Sequence, residues 1–145
     1  MKNLILLLTL FLLPAAGFAQ TYHEADKATL RAFLSQPSAF RGETNGGCFG
    51  LTPADTAAWT TNEDWVAKVS RNDRITWNSE SPKRVAIIKW GKSSLAGSLD
   101  LSGCTALTRL ECNGNQLTGL DVSANTALDY LDCSDTPLTD LDVSA

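Results

Sequence analysis

Residues 99–119 read LDLSGCTALTRLECNGNQLTG, residues 120–140 read LDVSANTALDYLDCSDTPLTD, and LDVSA opens a third copy at 141. Ten of the 21 aligned positions are identical: Leu99, Asp100, Ser102, Thr105, Ala106, Leu107, Leu110, Cys112, Leu117 and Thr118 recur one period later as the same residue types. A fixed period of this length marks a repeat architecture in which each copy is one supersecondary unit. One such unit cannot bury its own leucines, whereas stacked units lay equivalent leucines over each other as a continuous apolar column. The period predicts short strands at 110–112 and 131–133, parallel and about 4.8 Å apart. It also predicts a second short strand at 120–122, repeated at 141–143 on the opposite side.

Within a copy, Leu107-x-x-Leu110-x-Cys112-x-x-Asn115-x-Leu117 resembles the leucine-rich repeat template, a short strand followed by a turn closed by Asn or Cys. The phrase CxxNxLTxLDVSxNTAL over residues 112–128 is similar to the repeat of secreted bacterial leucine-rich repeat proteins, those of Bacteroidetes in particular. The second copy departs from it, with Thr136 in place of the turn Asn and Pro137 beside it. The resemblance covers residues 99–145 and implies an internalin-like solenoid used for surface adhesion or protein recognition, without catalysis.

Ahead of the repeats, a solenoid needs a cap with a polar outer face. Ala25, Ala28, Leu30, Phe33 and Leu34 follow Glu24 at roughly helical spacing and Pro37 ends the run, so 24–35 is expected to be an amphipathic helix. The glycines at 42, 46, 47 and 50 mark a loop. Thr52-Pro53-Ala54-Asp55 is a capping box with Pro at the first helical position, opening a short helix to about Trp59. Asn62 caps a third, with Trp65, Val66 and Val69 on one face to about Ser70. Residues 84–90, RVAIIKW, are β-branched and apolar and read as a strand one period ahead of Leu110, a degenerate first repeat. Trp59, Trp65, Trp77 and Trp90 are assigned to packing in this cap, an aromatic sugar platform being the alternative. The fold class expected is thus α/β, a leucine-rich repeat solenoid of short parallel strands with a mainly helical N-terminal cap. Its divisions are a signal peptide over 1–19, the cap over 20–84 and repeats over 85–145, with 85–98 degenerate and the last copy truncated.

The first residues define the compartment. Lys2, an apolar run from Leu4 to Leu13, and small residues Gly17 and Ala19 ahead of a cut form a signal peptide, too short in its apolar part to span a bilayer. Export to the cell surface or medium is expected, with no membrane insertion after cleavage. Residues 20–98 carry 10 basic and 8 acidic side chains, whereas 99–145 carry Arg109 and 8 acidic ones. That acidic half argues against nucleic acid as a partner. The end at Ala145, in the middle of a repeat, suggests a fragment of a longer gene product.

Catalytic chemistry finds little to build on. His23 is the single histidine, so a Ser-His-Asp or Cys-His arrangement would have to use it. The cysteines at 48, 104, 112 and 133 contain no CxxC pair, and no zinc site or other cofactor is expected. Export permits disulfides, yet Cys112 and Cys133 occupy one repeat position and read as small buried hydrophobes. Cys48, in the Gly-rich loop, is the candidate for pairing, with Cys104 as its partner. Asp100, Asp121 and Asp142 form a column one period apart, which invites calcium. At about 4.8 Å in water such carboxylates repel by only about 1 kcal/mol, so a solvated face is the simpler expectation.

Residues that alternate with the buried ones should point outward from the strands: Arg109, Glu111 and Asn113 in one copy, Tyr130, Asp132 and Ser134 in the next. Arginine and tyrosine are over-represented at contact hot spots, so Arg109 and Tyr130 head the candidate face. The function expected is a non-catalytic extracellular recognition or adhesion module for a host or bacterial surface protein. The alternative is a carbohydrate-binding or docking module attached to a catalytic domain beyond residue 145.

Overall fold

The computed structural model describes residues 21–144; the expected signal peptide over 1–19 lies outside them. Helix α1, Glu24–Leu34, begins where His23 Nδ1 accepts a hydrogen bond from the Ala25 N–H at 3.3 Å. Acidic Glu24 and Asp26 in its first turn and Arg31 in its last match the helix dipole. Its buried face carries Leu30, Phe33 and Leu34. After a 3₁₀ turn at Gly47–Phe49, Gly50 takes the left-handed backbone (φ 82°) that glycine adopts without strain. Helix α2, Pro53–Ala57, has the expected capping box, with Thr52 and Asp55 satisfying each other's backbone N–H. Helix α3, Asp64–Val69, follows Asn62, whose Oδ1 accepts from the Asp64 N–H at 2.8 Å, and buries Trp65, Val66 and Val69.

Seven strands follow: β1 (Ile75–Trp77), β2 (Val85–Lys89), β3 (Ala96–Asp100), β4 (Arg109–Glu111), β5 (Gln116–Asp121), β6 (Tyr130–Asp132) and β7 (Asp140–Asp142). They form two sheets, one ordered β1-β2-β4-β6 and the other β3-β5-β7. The 21-residue period appears directly as register. Arg109, Leu110 and Glu111 lie beside Tyr130, Leu131 and Asp132, and Gly119, Leu120 and Asp121 beside Asp140, Leu141 and Asp142. Both pairings are parallel.

The expected fold class is nevertheless corrected. The chain is a small α/β domain with two sheets, one mixed and one parallel, and not a leucine-rich repeat solenoid closed by a mainly helical cap. Two observations overturn that expectation. Strand β1 pairs antiparallel with β2, Ile75 opposite Ile88, which makes the first sheet mixed. The helices are few and short, at 11, 5 and 6 residues. The physical reason is that the 21–84 segment is woven into the same interior as the strands. Phe33 of α1 stacks on Trp90 at 5.5 Å, and Phe49 lies 5.4 Å from the same ring. One apolar cluster runs without a break from Leu30 through Trp65 and Ile88 to Val122. Trp59, Trp65 and Trp90 are all buried in it, as packing residues rather than a platform, and Trp77 is partly buried against it.

A buried ion pair fastens this junction. Asp26, fully buried, accepts from Arg84 Nε at 2.9 Å and from the Val85 N–H at 2.6 Å, and Arg84 continues to the Gly103 carbonyl at 3.1 Å. Helix α1, strand β2 and the turn before β4 are thus joined through one carboxylate.

Candidate functional site

The outward face of the mixed sheet is built by alternation. Ile88, Leu110 and Leu131 align in register and point into the molecule, so their neighbours along each strand point out. Ile87, Arg109 and Tyr130 form one outward row, and Lys89, Glu111 and Asp132 the next. Asn113 and Ser134 follow just past the strand ends, the Asn113 carbonyl accepting from the Lys92 N–H and the Ser134 carbonyl from the Gly114 N–H. Four of the six residues singled out from the sequence, Arg109, Glu111, Tyr130 and Asp132, therefore share one face by register. In β2 the apolar run VAIIK shows no such alternation, and it is the pairing of Ile87 with Arg109 and of Lys89 with Glu111 that extends the face by one strand.

At its centre the Arg109 guanidinium carbon sits 3.6 Å from the Tyr130 ring centroid. Arg109 Nε also donates to Glu111 Oε1 at 2.7 Å, a bond that raises the arginine pKa further above its ordinary value. A cation over an aromatic face at an exposed site is worth about 0.5–1 kcal/mol. Its larger consequence is positional: Glu111 on one side and Tyr130 beneath fix a long side chain that would otherwise sample many rotamers. Tyr130, 40% exposed, stands beside this ion pair.

The aspartates have a local role that spacing alone did not give. Asp100, Asp121, Asp132 and Asp142 each accept from the backbone N–H two residues on, at Ser102, Ser123, Ser134 and Ser144, with lengths of 2.8–3.0 Å. These are Asx turns closing each strand. In Asp121 and Asp132 the serine hydroxyl adds a second bond at 2.7 Å, and such bonds to Ser134 hold Asp132 below the usual carboxylate range. The signal was present as Asp-x-Ser, repeated four times. Among the described residues no group of three or more His, Cys, Asp or Glu is placed to hold a metal ion.

The turn asparagine is also a structural device. Asn115, 1% exposed, accepts from the Ser93 and Leu95 N–H groups at 3.0 and 3.1 Å and donates to the Trp90 and Cys112 carbonyls, both at 2.8 Å. Thr136 takes the next turn with a hydroxyl that reaches only the Ser134 carbonyl at 3.1 Å and Cys112 at 3.5 Å. The four cysteines are free thiols. Burial, with neighbouring Cys133, pushes the Cys112 thiol up to about 12, and burial likewise raises Cys104. His23 is occupied as the α1 cap, 3.7 Å from Asp26.

No family model matches the chain, and no curated protein or solved structure matches it. Among the described residues no helix is long and apolar enough to cross a membrane.

Proposed function

We propose that this chain is a non-catalytic extracellular recognition module that binds a surface protein through the outward face of its mixed sheet. The Arg109–Tyr130 stack, locked by Glu111, is the observation that carries the reading: an exposed aromatic and an arginine, already ordered, lose little freedom when a partner covers them. Mixed charge on the face, with Lys89 and Arg109 beside Glu111 and Asp132, suits a polar protein surface better than a polyanion or an anionic bilayer. The signal-peptide pattern at 1–19 supports export. The absence of catalysis is supported by chemistry in place: the single histidine caps a helix, and two of the four thiols are buried with raised pKa values, far from the thiolate a nucleophile requires.

The test is a biolayer screen of the chain from residue 20 against an array of purified extracellular protein domains, repeated with Tyr130→Ala and Arg109→Ala. A binding domain whose affinity falls about tenfold or more with either variant supports the face. Binders indifferent to both substitutions exclude it.

A further inference from the structure

We propose a second, separate binding site: a cleft at the end of β2 that takes a small sugar acid, its carboxylate held by Arg74 and Lys92 and its ring laid against Phe40. The cleft encloses about 400 Å³ between the 40–48 loop, the residue ahead of β1 and the turn after β2. That is within the range of small-ligand sites. Phe40, at 58% exposed, is an aromatic standing in solvent at its rim.

Two cations, Arg74 and Lys92, line this cleft. Lys27, Arg31, Lys68, Arg84 and Arg109 sit within ion-pair distance of a carboxylate, whereas Arg41, Arg71, Lys83 and Lys89, outside the cleft, do not among the described residues. Arg74 and Lys92 have no such partner among the described residues. Arg74 stacks its guanidinium on Phe49, 4.9 Å from the ring centroid, and lines the cleft. A planar fork of this kind matches a carboxylate in bidentate fashion.

The backbone of the cradle is tied by hydrogen bonds to its neighbours. Lys92 and Ser94 both hold left-handed backbone, φ 51° and 57°, a conformation that costs a non-glycine residue and tends to persist where a site uses it. It is pinned by bonds from the Lys92 N–H to the Asn113 carbonyl (2.8 Å), from the Ser93 N–H to buried Asn115 Oδ1 (3.0 Å), and from the Ala39 N–H to the Ser94 carbonyl (3.0 Å).

The remaining lining selects the ligand. Glu43 folds back over Gly47, which has no Cβ to exclude it, and makes no ion pair of its own among the described residues. Its carboxylate can accept hydrogen bonds from ring hydroxyls, as the Ser94 hydroxyl also can, and it opposes a dianion more than a monoanion. One negative charge, several hydroxyls and an apolar ring face describe a uronate.

Isothermal titration of the chain with galacturonate and glucuronate, against galactose, glucose and inorganic phosphate, tests this. Saturable binding of a uronate is expected, with the neutral sugars and phosphate weaker by about tenfold or more. Arg74→Gln and Phe40→Ala should each weaken uronate binding by a similar factor while Tyr130→Ala leaves it unchanged. Lys92→Gln, at an exposed residue, provides a variant whose folding is not at risk. No saturable uronate binding, equal binding of the neutral sugar or of phosphate, or full affinity in both cation variants would overturn the proposal. None of these outcomes bears on the protein-binding face, which Tyr130→Ala probes on its own.

Discussion

Asn115 and Asn125 are both 1% exposed, yet they are satisfied to different degrees. Asn115 makes two bonds through its oxygen and two short ones through its nitrogen, whereas Asn125 donates to the Leu101 and Cys104 carbonyls while its Oδ1 has no partner. A buried polar group contributes mainly through what it leaves unpaired when removed. Asn115→Ala strands the Ser93 and Leu95 N–H groups and the Trp90 carbonyl, and leaves the Cys112 carbonyl only the long bond from Thr136. It should cost about 2–4 kcal/mol, against about 1–2 for Asn125→Ala, where an unpaired oxygen leaves with the side chain. Urea midpoints at constant m-value would measure both; equal losses would show that the two amides are energetically alike. Asp55 allows a pH prediction. Its bonds to Lys68 and Thr52 lower its pKa from 3.8 to about 2. Because the folded value is depressed, its contribution is present above pH 3.8 and is lost as the pH falls from there toward 2. Unfolding curves of the wild type and Asp55→Asn should therefore differ at neutral pH and converge near pH 2; a constant gap would remove the capping box from the acid response.

At the level of elements, the period placed β4 to β7 because inward leucines on paired strands must recur at the pairing register, and it placed Arg109 over Tyr130 for the same reason. Helix α1 was legible from its apolar spacing, and α2 from its capping box. Strand β1 was not: Ile75–Trp77 is three residues set among charges, too short to show alternation, and it is specified by β2 rather than by its own sequence. The cleft at Arg74 was illegible too, since Phe40, Arg74 and Lys92 come from three segments that only tertiary packing brings together. Repeat identity also conceals differences in environment. Leu120 and Leu141 occupy the same repeat position, but Leu120 is 2% exposed on the central strand of its sheet and Leu141 46% exposed at the edge. Leu120→Ala should destabilise by about 2–5 kcal/mol and Leu141→Ala by under about 1 kcal/mol, as thermal or urea unfolding would show. Comparable losses would mean that the β7 edge is covered in solution.

Over the whole molecule, the question is whether the N-terminal segment and the strands unfold as one body. Their shared interior says that they do: Phe33 and Phe49 pack on Trp90, and Asp26 binds Arg84 and the β2 backbone across that same junction. Removing one member of a buried, hydrogen-bonded ion pair leaves the other charge uncompensated, typically at about 3–5 kcal/mol. In Asp26→Ala the stranded Arg84 is 18% exposed and can reach water in part, so the loss should fall toward the lower end of that range. The more informative readout is the relation between two probes. Helical circular dichroism reports α1 to α3, while Cys112, 0% exposed on the strand side, reports its sheet through the rate at which a thiol reagent reaches it. If one cooperative unit spans residues 21–144, Asp26→Ala should shift the helical melting midpoint and accelerate Cys112 modification in a Cys48→Ser, Cys104→Ala, Cys133→Ser background, by amounts that correspond to a single change in free energy. A variant that melts the helical signal early while Cys112 stays protected would divide the protein into two bodies and refute the single interior.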